Sequence, residues 1–198
     1  MLHDIDEKAK EVLVRSFADD TRVSKVIKDP KDRKIMEEAL DKLYKWCDVN
    51  KMEFNADKFE HMVFGKKNGN QEKYKGPTGE DIETKEVVKD LGVVVNSSAN
   101  FKDQIKNTVT ACKVMSGFIF RTFTTRKAEP LLKLYKAYIR SKTEYCNVVW
   151  CPTSQTEIAQ IESIQRSFTF KIEEVKELDY WQRLNILNLY SLERRRDF

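Results

Sequence analysis

The feature that most constrains this chain is a change in hydrophobic period near residue 100. Beyond it, apolar residues recur at helical steps. Phe101, Ile105, Thr108, Cys112, Met115 and Ile119 form one stripe, and Leu131, Leu134, Tyr135, Tyr138 and Ile139 a second. Ile158, Ile161, Ile164, Phe168 and Ile172 form a third, and Trp181, Leu184, Leu187 and Leu192 a fourth. Residues three and four apart share a helix face, so each stripe predicts a helix with one side buried. Before residue 100 the apolar residues fall mostly in short β-branched or alternating runs, the pattern of strands. The expected fold is therefore α+β, with a mixed region over 1–100 and an all-helical region over 101–198.

Within the first region, residues 11–17 and 21–27 read as two strands around Ala18-Asp19-Asp20, with Val23 and Ile27 on one face. Two strands about a short acidic turn predict a β-hairpin. A helix follows. Asp29 is a good N-cap, Pro30 suits the first helical position and Asp32 lies in the positively polarised first turn. Met36, Leu40, Leu43 and Cys47 make its apolar stripe, Ile35 and Trp46 widen it, and Asn50 is a plausible stop. Short strands are expected over 52–64, where Met52 alternates with Phe54 and Met62 with Phe64. A solvated loop is expected over 65–80, with a short strand near Tyr74, since this stretch holds four of the six glycines. Val87 to Val95 reads as a further strand or hairpin.

Charge is uneven. Residues 101–150 carry ten basic side chains and three acids, although the whole chain is only +4. Such a block suits a nucleic-acid surface, and a solvated helix face is the plain alternative. No apolar run approaches the roughly 20 residues that span a bilayer. The acidic N-terminal residues do not resemble a signal peptide, so an intracellular protein, in nucleus or cytoplasm, is expected. Cys47, Cys112, Cys146 and Cys151 lack zinc-site spacing and read as ordinary thiols. His61 has no neighbour in sequence that suggests catalysis, and Arg194-Arg195-Arg196 reads as a charged terminus. Gly-rich phosphate loops and nucleophile–base sets are not seen.

Asp19 and Asp20 are the sharpest chemical signal. Adjacent carboxylates at a hairpin tip bring hard oxygen ligands together, which suits Mg²⁺ held by one or two carboxylates and substrate phosphates. Paired ions of this kind stabilise the attacking and leaving oxygens in nucleotidyl transfer. An isolated Asp-Asp pair more often just satisfies a turn.

This pair has company. Ser16-Phe17-Ala18-Asp19-Asp20-Thr21 resembles the aromatic-Ala-Asp-Asp signature of non-LTR retrotransposon reverse transcriptases. Asn55-Ala56-Asp57-Lys58 is similar to that family's Asn-x-x-Lys segment, and Met62-Val63-Phe64-Gly65 to the strand end after it. Lys89-Asp90-Leu91-Gly92-Val93 resembles the Asp-Leu-Gly-Val strand. Glu144-Tyr145-Cys146, Val149-Trp150, Gln160-Ile161-Glu162-Ser163-Ile164-Gln165-Arg166 and Tyr190-Ser191-Leu192-Glu193-Arg194-Arg195 continue the series in order. Each piece is weakly specific; order and spacing together are specific.

The resemblance implies a partial reverse-transcriptase palm, built of β-hairpins with a packed helix, followed by a helical thumb. It implies RNA-directed DNA polymerase chemistry, the Mg²⁺-dependent transfer of nucleotides from dNTPs onto a DNA primer on an RNA template. Asp19 and Asp20 would be metal-binding and catalytic, and Lys58 would lie near the incoming nucleotide. Leu91 and Gly92 would belong to the hairpin supporting the primer 3′ end. Lys102, Lys106, Lys113, Arg121, Arg126 and Lys127 would grip an RNA–DNA duplex through phosphates.

One departure bears on activity. The family uses a further aspartate on a strand well upstream of the hairpin, whereas only Asp4 and Asp6 precede Asp19 here, in a helix-like start. A two-metal site short of a carboxylate loses most of its transition-state stabilisation. The expectation is a fragment that does not polymerise alone. Its rival is a non-enzymatic nucleic-acid-binding module or transposon relic. A third reading is a small interaction protein that uses apolar faces. Association through exposed palm surface and unpaired strand edges is expected in any of these.

Overall fold

The computed structural model describes residues 12–18, 20–55, 58–65 and 73–196. The fold is mixed α and β, and the chain divides into two compact units between Lys85 and Glu86. That division lies upstream of the change in pattern at residue 100, and the hairpin over 87–96 belongs with the helices.

In the first unit, β1 (Leu13–Phe17) pairs antiparallel with β2 (Asp20–Ser24), in the register Val14↔Val23 and Phe17↔Asp20. Helix α1 (Pro30–Val49) follows. Its start is the one its sequence announces. The Asp29 carboxylate accepts from the amides of Lys31 and Asp32, while the Asp32 carboxylate accepts from Lys28 and Asp29. These bonds satisfy amides that the first turn leaves without helical partners. Lys25 adds an ion pair to Asp32 at 3.2 Å. At the other end, the Asn50 side-chain amide donates to Trp46 O, and Lys51 turns the chain at φ 54°.

Leu40, Leu43 and Cys47 are the buried stripe of α1. Val14 and Leu43 pack with Val23, Trp46 and Phe54; Leu40 packs with Tyr74, Ile82, Met36 and Phe59. At roughly 1.5–3 kcal/mol per buried aliphatic side chain, this packing rather than the two-stranded ladder holds the unit together.

Two expectations change here. The second strand ends at Ser24, and Ile27 is exposed rather than on the face of Val23. Among the described residues of 52–64 the expected strands do not form. Phe54 and Phe59 instead meet Tyr44 and each other edge-to-face, with centroids 5.3–5.9 Å apart. Alternation in this stretch reflects aromatic insertion; among the described residues no neighbouring strand offers a ladder, and His61 makes an isolated bridge to Thr84. Beyond it a tight turn over 76–80 joins Lys75 to Asp81.

The His61 imidazole bonds to the Thr84 hydroxyl at 3.0 Å and meets the Tyr74 ring edge-on. Burial, and then the nearby Arg33 guanidinium, hold it below its ordinary 6.5. The fold thus favours neutral His61. Its contribution is complete above the unfolded pKa and is lost as pH falls through that value toward the lower folded one. Unfolding of the first unit, followed by denaturant titration, should lose stability between about pH 7.5 and 5.5, and His61→Gln should flatten that loss. An equal loss in both proteins would assign it to other groups.

The second unit opens with β3 (Val87–Asp90) and β4 (Val93–Asn96), an antiparallel hairpin, followed by α2 (Lys102–Thr122). Next come α3 (Ala128–Leu134), a π-helical turn (Tyr135–Arg140), α4 (Ser141–Glu144) and α5 (Asn147–Trp150). Helix α6 (Gln155–Thr169), α7 (Tyr180–Ile186) and a 3₁₀ turn (Arg194–Arg196) complete it. Among the described residues, no helix is long and apolar enough to cross a membrane. Leu131, Tyr135 and Ile139, at steps of four, all stay buried. Steps of four drift round a 3.6-residue helix, and the wider π turn absorbs the drift.

Two apolar clusters fill this unit. One joins Cys112, Ile119, Leu131, Tyr135, Ile139, Ile164 and Phe168; the other joins Val93, Ile105, Trp150, Ile161 and Leu192. The hairpin is fastened to α2 because the Val94 amide donates to Gln104 Oε1 at 2.9 Å, and Val93 fills the second cluster. The predicted fourth stripe is corrected. Trp181 is 61% exposed, and its neighbour Tyr180 takes the buried position.

Between the clusters runs a chain of buried polar side chains. Tyr135 OH donates to Gln165 Oε1 at 2.6 Å. Gln165 Nε2 donates to Tyr180 OH and Tyr190 O, each at 3.0 Å. Tyr180 OH donates in turn to Glu162 Oε1, while Glu162 Oε2 accepts from the amides of Leu192 and Glu193. Burial drives the Tyr135 and Tyr180 phenols far above their usual range, so both remain donors. Gln165→Leu is apolar and of similar size, yet it strands three partners in a dry site. A loss of roughly 2–3 kcal/mol in urea unfolding is expected. Wild-type stability in that variant would show the chain to be energetically idle.

Candidate functional site

Asp20 closes the first hairpin opposite Phe17, at the end of the β1–β2 ladder. Ala18 in the turn has φ 53°, a left-handed conformation that alanine adopts at a cost. Asp20 is exposed, and Phe17 beside it is 68% exposed. Asp19 lies outside the described residues, as do Asp4, Asp6, Ala56 and Asp57. Among the described residues, no group of three His, Cys, Asp or Glu side chains is placed to hold a metal ion. Asp20 on its own is not a Mg²⁺ cage, which needs further oxygen ligands.

Lys58 is exposed in the same unit, with its amide bonded to Asn55 O at 3.0 Å. No hydrogen bond or ion pair links its side chain to Asp20. The outer face of the hairpin carries Leu13, Arg15 and Phe17, all exposed, while Val14 turns inward.

Leu91 and Gly92 form the two-residue loop of the second hairpin, between paired Asp90 and Val93. Their φ angles are 43° and 83°. Both central residues being left-handed matches the twist of the flanking strands, a geometry for which glycine suits the second position and leucine ill suits the first.

The basic residues separate into two kinds. Lys102, Lys106, Lys113 and Arg121 lie on the solvent side of α2, away from buried Ile105, Cys112 and Ile119. None has an ion-pair partner among the described residues. Asp103, the sole acid of this helix, is engaged by Asn96 at 3.3 Å. Gly117 sits one turn from Lys113 and one from Arg121, and a Cβ there would meet nothing within 4 Å. Elsewhere lysines do pair, as Lys133 does with Glu129 and Lys85 with Glu60. The stripe on α2 is therefore positive charge left uncompensated among the described residues. Lys127, at the start of α3, is exposed as well.

Arg126 is different. Its guanidinium donates to the carbonyls of Phe120, Phe123, Thr124 and Thr125, at 2.6–3.2 Å, and lies over the Phe120 ring. It closes the C-terminal end of α2, where carbonyls lack helical partners and a cation is favoured. Arg126→Ala should cost about 1–2 kcal/mol in thermal or urea unfolding, whereas Lys106→Ala and Lys113→Ala should stay within about 0.5 kcal/mol. Equal effects from all three would remove the distinction.

Several residues became visible only in three dimensions. Tyr145 OH donates to Leu91 O at 2.7 Å. Glu144 lies between Arg195 at 2.5 Å and Arg140 at 3.7 Å. Arg166 and Arg183 both lie over the Tyr180 ring, at 4.3 and 5.7 Å. The signal for Glu162 and Gln165 was present: both fall beside the apolar positions of α6, where a polar residue must find a partner. Cys112 is fully buried, and burial pushes its thiol up to about 11, so it is chemically inert at neutral pH; Cys146 and Cys151 are exposed. Compared with protein-family models, curated proteins and solved structures, the chain finds no match.

Proposed function

We propose that this chain is part of an RNA-directed DNA polymerase of the non-LTR retrotransposon kind, and that by itself it binds a primer–template duplex without extending it. The first unit then contributes the metal-binding hairpin of a palm, and the second unit a thumb-like part that grips nucleic acid. The observation that carries the reading is the α2 stripe. Lys102, Lys106, Lys113 and Arg121 are four cations along one helix with no ion-pair partner among the described residues, and a glycine lies between the last two. Phosphates are the complementary partner for such a stripe, and they are bound regardless of sequence.

Further support comes from two hairpins, one closing on the pair Phe17 and Asp20 and one turning tightly at Leu91–Gly92. Two carboxylates at one tip would offer part of an Mg²⁺ site. Among the described residues no cluster of carboxylates joins Asp20, and a pair at one hairpin tip stabilises a two-metal transition state poorly by itself. The exposed Leu13 and Phe17, on a hairpin that pairs with no third strand among the described residues, favour association with further sheet.

Binding of an RNA–DNA duplex should weaken steeply with salt, the slope falling by about one for each of Lys106, Lys113 and Arg121 changed to alanine. Salt-insensitive binding would sink the reading. In a primer-extension assay with Mg²⁺ and dNTPs no product is expected; extension that vanishes in Asp19→Ala would overturn the claim of inactivity. A non-enzymatic binding module gives the same salt slope, but it would show no preference for a recessed primer end.

A further inference from the structure

The tip of the second hairpin is energetically awkward. Its first loop position calls for asparagine, aspartate or glycine, and Leu91 sits there at φ 43°. A strained residue persists only where its surroundings over-determine it. Here the described surroundings include Tyr145, which meets both loop residues. Tyr145 OH donates to Leu91 O at 2.7 Å. Its ring also lies across Gly92, where a Cβ would stand 3.3 Å from Cε1 and 3.4 Å from the hydroxyl oxygen.

Tyr145 is itself held from behind. Its amide donates to Ser141 O at 3.1 Å, and its carbonyl accepts from Trp150 Nε1 at 2.7 Å. Trp150 is fully buried in the cluster containing Val93, the first residue after the tip. The connection thus closes a loop from Val93 to Trp150, to Tyr145, and back to Leu91. Cys146, left-handed at φ 49°, turns the chain away directly after Tyr145. Tyr145 remains 52% exposed, which is more than core packing would explain.

We infer that Tyr145 is the positioning residue of the Leu91–Gly92 tip, holding its strained loop in one conformation for contact with a primer 3′ end. The primer contact rests on the function proposed above; the clamp does not. Tyr145 acts through the tip. It presents the Leu91–Gly92 backbone by fixing one carbonyl and by filling the space a side chain at residue 92 would need. Gly92 is then required twice, for its φ of 83° and for the approach of the ring.

The test is Tyr145→Phe, which keeps the ring and removes the hydroxyl at a half-exposed position, so folding is retained. Amide exchange over residues 87–96 should accelerate roughly fivefold, while the melting temperature moves by no more than about 2–4 °C. Wild type should bind a duplex with a recessed 3′ end more tightly than the same duplex uninterrupted, and Tyr145→Phe should lose that preference but keep binding to uninterrupted duplex. Unchanged exchange in Tyr145→Phe overturns the clamp. Faster exchange with end preference intact overturns its positioning role. No end preference in wild type overturns the primer reading of the tip, while the exchange data still decide the clamp.

Discussion

The second unit depends on the buried hydrogen-bond chain from Tyr135 through Gln165 and Tyr180 to Glu162. Apolar contacts alone would let helices slide, because dispersion and burial are non-directional. Gln165 is fully buried and cannot turn to water, so its three partners set where the π-helical turn, α6, α7 and the segment from Tyr190 must lie. The Glu162 carboxylate extends the constraint, receiving the amides of Leu192 and Glu193 and thereby bringing Leu192 into the cluster around Trp150. Trp150 then fixes Tyr145, and Tyr145 the hairpin tip. A polar chain of this kind is costly when half satisfied and specifying when complete.

Among its described residues the first unit shows no equivalent. Its organisation comes from the capped helix α1 and the faces it covers. The hairpin that carries Asp20 is two strands covered on one side, a construction that is marginal in isolation. The exposed Phe17 and Leu13 follow directly from that one-sided cover. The contrast is between a helical unit specified by buried polar pairs and a hairpin held by apolar cover from one helix.

Local features were legible from residues alone. The start of α1 was readable because Asp29, Pro30 and Asp32 act within one turn. The hairpin around Leu91–Gly92 was readable because a glycine between β-branched runs has few other uses. The tip around Asp20 was readable because a short acidic turn separates two strand-like runs, although Asp19 lies outside the described residues. Less legible was anything decided by a distant partner. Over 52–64 alternation looked like strands, but the aromatic residues found Tyr44 instead. Arg126 counted among the cations of a basic block until four carbonyls claimed its guanidinium. Trp181 and Tyr180 are adjacent, and spacing alone chose the wrong one to bury.

The sequence by itself determined where helices and hairpins form, which faces are apolar and where uncompensated positive charge accumulates. Those properties arise from periodicity and capping within a few residues. Only the tertiary structure decided which polar residues are bound inside, which cations find an ion-pair partner among the described residues, and that the Leu91 carbonyl is bonded by Tyr145. Each of these rests on pairs separated by tens of residues, such as Tyr145 with Leu91 and Leu192 with Glu162. No local pattern encodes such pairs, because the free energy of a buried hydrogen bond or an ion pair exists only once its two halves meet.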